Sequence, residues 1–301
     1  MFDRVTLTRD LVDARGSVLA RKGLVVSVSS VLEAARRTPA GERVPVAQCR
    51  LGEDLCQPLG EAPYRHLFRA EAMQAAVARA LAGIRLPPAL VDELRALAVA
   101  DPGRYRHALA TAAIATRMLV GAVGGEAPAL PEMAAAGLLH DIGMRHVAPH
   151  LARNGDALEA GEVLDVAAHP LLGGWHLAVT LGAHPAVDAA LGHHWRGGHG
   201  YPQLSQPPSR SVEVVAVASA FAALTQARAF RSSAFDARGA ADVLVADAKA
   251  ARCDGNTVRL LVQALRGASG PVKDVRFGRQ RMGHVPEVNR HSAIAPTYSP
   301  V

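Results

Sequence analysis

The sequence predicts an all-α protein carrying a small β-containing module at its N-terminus, and three observations lead there. Half of the 301 residues are hydrophobic while only 4% are aromatic, with alanine prominent. That composition suits closely packed helices better than sheets, which draw on β-branched and aromatic residues. From about residue 64 onward, apolar residues recur at helical spacing in stretches broken by Gly and Pro. Before about residue 50 the pattern is different, with the short β-prone runs VTL, SVLA and GLVVSV separated by Asp13-Ala14-Arg15-Gly16 and Lys22-Gly23.

In chain order, residues 1–60 read as a β-rich module with a hairpin, VPVA at 44–47 supplying a further strand. Helices are predicted at roughly 66–83, 87–100, 103–122, 131–143, 158–181, 184–195, 210–229, 236–250 and 254–267. Leu86-Pro87-Pro88, Asp101-Pro102-Gly103 and Gly124-Gly125 mark breaks between them. These helices make one domain spanning 64–267. Residues 268–301 have no helical period and are rich in Gly, Pro and polar residues, so a disordered basic tail is expected there.

A chain this long buries a substantial core without help from disulfides or metals. The formal charge of +6 is modest, and the basic residues are scattered apart from Lys273, Arg276, Arg279 and Arg281, with no nucleic-acid motif beside them; nucleic acid is not an expected partner. Cys49, Cys56 and Cys253 lack metal-binding CxxC spacing and read as free thiols of a reducing compartment. The N-terminus has no signal pattern and the longest apolar runs fall short of a membrane span, so a cytoplasmic location is expected.

Five histidines and one aspartate fall on apolar stretches near their ends. His140-Asp141 closes GLLHDIGM just before Gly143, His107 lies one turn into RYRHALATAAIATRMLVGAV, His169-Pro170 follows LDVAA, and His193-His194 sit in LGHHWRGGHGYP. Neutral imidazole beside carboxylate offers two ligand types to a divalent cation, and a carboxylate can bridge two ions. Taken singly, each histidine also fits a helix terminus or a satisfied core position. Together they point to a metal site, with His199 left as a loop side chain.

The order of these motifs resembles the HD-GYP family of HD-superfamily phosphohydrolases: His107, then His140-Asp141 in HDIG, His169-Pro170, His193-His194, Gly198-His199-Gly200-Tyr201-Pro202, and ALTQARAFR at 223–231. The resemblance covers roughly residues 64–267. It implies an HD-superfamily helical bundle acting as a metal-dependent phosphodiesterase, a hydrolase of the bacterial second messenger cyclic di-GMP in signal transduction. In that scheme His107, His140 and Asp141 serve one metal, His169, His193 and His194 its neighbour, and Asp141 lies between them. Arg228 contacts phosphate, and Gly200, Tyr201 and Pro202 line the substrate mouth.

Each departure from the family pattern removes a charge. Met144 stands for a lysine, Ser219 for a late aspartate ligand, Trp195 and Gly197 for acidic residues, and Gly103 for a further acidic ligand of some members. Two divalent ions against one carboxylate leave much positive charge uncompensated, so one or two ions of Fe, Mn, Zn or Ni, partly occupied, are the expected cofactors. The position that depends on Ser219 is expected to be the labile one. Three functions remain in view: an impaired cyclic di-GMP phosphodiesterase; an inactive receptor or interaction module, with a signalling protein or a homodimer partner; and an HD-type nucleotidase.

Overall fold

In a computed structural model the described residues are 3–39, 41, 43–49, 51–147, 159–195, 197–268, 270–279 and 283–288, with nothing said of the side chains of Gln48 and Cys49. The protein is all-α with a small β-containing module at its N-terminus. The module opens with β1 (Arg4–Thr6), β2 (Leu11–Val12), β3 (Val18–Ala20) and β4 (Val25–Ser27). β1 pairs with β4 and β2 with β3, both antiparallel.

The module contains two helices that the β-prone reading of 1–60 does not anticipate: α1 (Val28–Arg37) and α2 (Leu51–Gly60). α1 begins where Ser27 and Ser30 form a reciprocal capping box, and it buries Val31 and Ala35 four residues apart. The VPVA strand is shorter than expected. β5 (Val44–Pro45) pairs with β6 (Arg85–Leu86), a strand hidden from sequence patterning by its two-residue length.

The helical region follows as α3 (Glu71–Ala82), α4 (Pro88–Ala100), α5 (Pro102–Val123), α6 (Leu130–Leu139), α7 (Ala160–Ala167), α8 (His169–Leu181), α9 (Pro185–Gly192), α10 (Arg210–Thr225), α11 (Ala237–Lys249) and α12 (Gly255–Arg266). α5 is the central helix and packs against α3, α4, α6, α10 and α12. It buries residues on every face, including Ala108, Leu109, Ala112, Ala113, Ile114 and Met118. Its small side chains let these helices and α2 approach, in keeping with the alanine-rich composition. No helix among the described residues is long and apolar enough to cross a membrane.

Two differences from the predicted helices bear on the site. The stretch read as one helix over 158–181 is two, divided at Ala168. Pro170 has no N–H to give Val166 O, so the ladder fails there and α8 restarts with the proline in its first turn. The helix expected to reach 229 ends at Thr225, leaving Arg228 on the segment beyond it.

The module and the helices share one hydrophobic cluster, in which Leu7, Leu11, Val26 and Val31 join Leu171, Leu177 and Leu191. Trp175 Nε1 donates to Leu19 O at 3.0 Å across this contact. A buried polar group reinforces it. Glu93 of α4, 3% exposed, receives the Ala14 N–H and pairs with Arg145 Nη1 at 2.6 Å, while Arg9 donates to His146 O at 3.0 Å. Burial pushes the Glu93 carboxyl up, and Arg145 opposes that shift. Arg145 and His146 lie on the 3-10 turn Ile142–His146 that follows the HD pair.

The stretch expected to be a free tail from residue 268 is instead attached wherever it is described. Gln263 donates to Gly270 O at 2.8 Å, Arg266 to Arg276 O at 2.9 Å, and Ser232 N–H to Val288 O at 2.9 Å, with Val272, Val275 and Phe277 packed on the core. Extended chain held by side-chain-to-backbone bonds has no helical period to read. Residues 289–301 and Arg281 lie outside the described residues. Cys56 and Cys253 are free thiols.

His184 caps α9, its Nδ1 accepting the Ala186 N–H at 3.0 Å. Burial and the charge of Arg43 lower its pKa to about 4. The unfolded chain, with an imidazole near its ordinary value, therefore binds more protons between that pH and about 6.5. Stability is full above about 6.5 and falls as pH drops through the window. His184→Asn keeps an N-cap acceptor without the titration. Urea denaturation at pH 7 and pH 5 is expected to show the acid-induced loss of stability reduced by about 1–2 kcal/mol in this variant.

Candidate metal centre

The site is assembled at helix ends. His140 directly follows α6, His169 opens α8, His193 follows α9, and His107 lies in the second turn of α5. All four are at most 5% exposed. At such ends backbone carbonyls lack in-helix donors, and the histidines supply them. His140 Nδ1 donates to Gly137 O at 2.8 Å, His169 Nδ1 to Val166 O at 2.7 Å, and His193 Nδ1 to Ala189 O and Ala190 O, each at 3.0 Å. The His169 bond goes to the very carbonyl that Pro170 cannot serve, which explains the His-Pro pair.

Each Nδ1–H bond sets a tautomer and leaves Nε2 as a lone pair. Burial lowers the pKa of His140, His169 and His193, so all three are neutral near pH 7. Three acceptors then converge. His169 Nε2 lies 3.2 Å from His193 Nε2 and 3.2 Å from Asp141 Oδ1. Burial alone would raise the Asp141 carboxyl, but its neighbours, the fixed charge of Arg104 among them, override that and hold the group well below the usual carboxylate range. Facing lone pairs repel unless a cation sits among them, so the donor set fits a metal.

The ligand atoms fall into two groups, each within 4.8 Å: His169, His193 and His194, and His107, His140 and Asp141. The rings of His140 and His193 join the groups edge to face, with centroids 4.9 Å apart. The second group has a feature the first lacks. Ser219 Oγ on α10 lies 3.2 Å from His107 Nε2 and 3.1 Å from His140 Nε2. Because His140 Nε2 is an acceptor, the hydroxyl proton goes to it and His107 Nε2–H donates to Oγ. His107 Nδ1 is buried and has no hydrogen-bond partner. Ser219 thus stands between two imidazoles and satisfies them without an ion.

Two glycines hold the frame through close approach. A Cβ on Gly143 would collide with the carbonyl of His169 and the backbone of Gly173, so the HDxG glycine is what lets the HD turn lie against the start of α8. A Cβ on Gly200 would collide with the His194 carbonyl. That approach brings the Tyr201 ring onto His194, nearly parallel at 19° with centroids 4.6 Å apart. Pro202 beside it is buried and His199 is exposed.

Around Asp141 a cleft is lined by Asp101, Arg104, Met144, Arg145 and apolar residues of α4. Arg228 feels the charges of Asp141, Arg104 and Asp101. Sequence reasoning missed Arg104 and the bridging role of Ser219. The spacing of Arg104 three residues before His107, on the same helix face, is the signal that could have found it.

No protein-family model matches the chain. A stretch of 103 residues, 32% of the chain, is 35% identical to 3′3′-cGAMP-specific phosphodiesterase 1 of Vibrio cholerae serotype O1, and it spans 23% of that protein's length. Among solved structures, the HD domain of the L. monocytogenes phosphodiesterase PgpH aligns over 58% of this chain and 95% of its own, at 14% identity and a TM-score of 0.43. An HDG"Y"P protein from Bdellovibrio bacteriovorus aligns over 79% of this chain and 76% of its own, at 15% identity and a TM-score of 0.45. A helical fold that turns histidines and the aspartate of an HD pair inward from its helix ends gathers donors suited to a divalent metal. Over the 35% identical stretch the chain is similar to the Vibrio phosphodiesterase, and the order of its motifs resembles the HD-GYP family.

Tyr201→Ala removes the ring that orients His194 and is expected to weaken metal binding about tenfold, as loss of an outer-shell support does. Competition against a chromogenic chelator with Mn or Zn measures this. Tyr201→Phe, which keeps the stacking, is expected to retain the larger share of the affinity.

Proposed function

We propose that the chain is a metal-dependent phosphodiesterase of reduced turnover, cleaving a phosphodiester bond of a cyclic dinucleotide, with cyclic di-GMP as first candidate substrate. The observation carrying this reading is the convergence of His169 Nε2, His193 Nε2 and Asp141 Oδ1, with His169 Nε2 at 3.2 Å from each of the other two. His169, His193, His194 and Asp141 would hold one ion, and His107, His140 and Asp141 a second. A bound divalent ion supplies a Lewis acid for the phosphoryl oxygens and a water of lowered pKa.

The chain's own part is to position and to neutralise. Asp141 and the pinned imidazoles keep their lone pairs directed at one place, at no cost of reorganisation during the reaction. Arg228 brings a planar fork suited to a phosphodiester anion. The apolar wall of α4 in the adjoining cleft limits water around the reacting group. The name of the Vibrio relative supports a cyclic dinucleotide as the substrate class and makes 3′3′-cGAMP the second candidate.

A receptor reading is favoured by one observation: the Ser219 hydroxyl satisfies His107 and His140 in place of an anionic ligand. A chain of this kind would bind the dinucleotide and not cleave it.

Metal analysis after loading with Mn or Fe, paired with chromatographic assay of cyclic di-GMP and 3′3′-cGAMP, tests the proposal. Bound metal and slow formation of linear product are expected. The double change Ser219→Asp with Met144→Lys is expected to raise turnover about tenfold or more, by restoring a ligand and a fixed cation. Binding without product in both proteins would leave the receptor reading, and absence of bound metal would sink the enzyme.

A further inference from the structure

Arg104 is the charged group of the cleft that none of the motifs accounts for. It lies one turn before His107 on α5, so the two side chains share a face. Its side chain is 13% exposed and lines the same cleft as Asp141 and Met144. Asp101 fixes its base: Oδ1 accepts the Arg104 N–H at 3.0 Å, capping α5, and Oδ2 lies 3.7 Å from Nη2. That second separation is too long for a direct N–H···O bond, so the pair steers the guanidinium without saturating it.

A second guanidinium feels the same charges. Arg228, on the segment after α10, interacts electrostatically with Arg104, with Asp101 and with Asp141. Two arginines held near one another beside a metal-ligating carboxylate repel, and a tetrahedral anion received between them relieves that repulsion while accepting donors from both forks. Among the described residues lining the cleft the other fixed cation is Arg145, which is committed to Glu93 at 2.6 Å.

We propose that Arg104 is a phosphate-binding residue of this site, forming with Arg228 a two-guanidinium clamp that supplies the positive charge missing at Met144. The cyclic dinucleotide as occupant rests on the function proposed above; the ligand chemistry of the clamp is that of any phosphoryl anion.

Calorimetric titration of the full chain with inorganic phosphate and, separately, with cyclic di-GMP tests the clamp, in the presence and absence of Mn. Arg104→Met is expected to weaken both ligands about tenfold or more, and Arg104→Lys to recover part of the loss. Adding Met144→Lys to Arg104→Met is expected to restore binding, because an ammonium then enters the same cleft; a purely structural role for Arg104 would not be rescued that way. Phosphate binding equal in wild type and Arg104→Met, binding of neither ligand by wild type, or failure of the Met144→Lys rescue overturns the clamp. If phosphate binding depends on Arg104 while cyclic di-GMP does not bind, the clamp stands and the dinucleotide reading falls.

Discussion

The site depends on one repeated hydrogen bond: an imidazole Nδ1–H donated to a carbonyl at the end of its own or the preceding helix. His140, His169 and His193 each make it, at 2.7–3.0 Å. A helix end offers carbonyls that its own ladder cannot serve, so the bond costs no secondary structure. It fixes the tautomer and ring orientation, and it leaves every Nε2 unprotonated and pointing inward. The Pro170 break is part of the same device, since it creates the acceptor that His169 uses. His107, whose Nδ1 lacks such a bond, is correspondingly the least determined of the four.

The frame behind these bonds explains why the N-terminal module is packed where it is. The HD turn is gripped from the inside by the start of α8, through Gly143, and from the outside by the module. Arg145 reaches Glu93 and the Val12 carbonyl, and Arg9 reaches the carbonyl of His146. Glu93 is 3% exposed, and removing one partner of a buried ion pair leaves an uncompensated charge, so these contacts restrict the turn more than surface pairs would. Asp141 immediately precedes a short 3-10 segment with little stability of its own. Its position is therefore set by packing on two sides.

The helical class, most helix locations and the gathering of histidines were legible because each leaves a local mark: apolar periodicity, a proline or glycine break, a histidine on an apolar stretch. What was not legible lay in groups too short or too distant for such marks. The strand at Arg85–Leu86 has two residues, and α1 starts at the Ser27–Ser30 box directly against the β-prone run GLVVSV, which masks its beginning. The attachment of residues 270–288 uses backbone carbonyls, which any sequence possesses. At the site, Ser219 could be read as a missing carboxylate, but its place between His107 and His140 required bringing together residues 79 and 112 positions apart.

The charge balance follows from these particulars and divides the centre in two. In the group of His169, His193, His194 and Asp141 a cation reconciles the facing lone pairs, and imidazole-rich coordination favours later first-row metals over Mg. In the group of His107, His140 and Asp141 the Ser219 hydroxyl already bonds both rings, so an ion entering there must first displace those bonds and gains no anion from Ser219 in return. Arg104 acts against both, because its charge opposes metal binding even as it favours an anionic ligand. A site poor in carboxylates and retaining Arg104 and Arg228 is thus balanced toward an anionic ligand and away from a second metal ion, even with Met144 where the resemblance places a lysine.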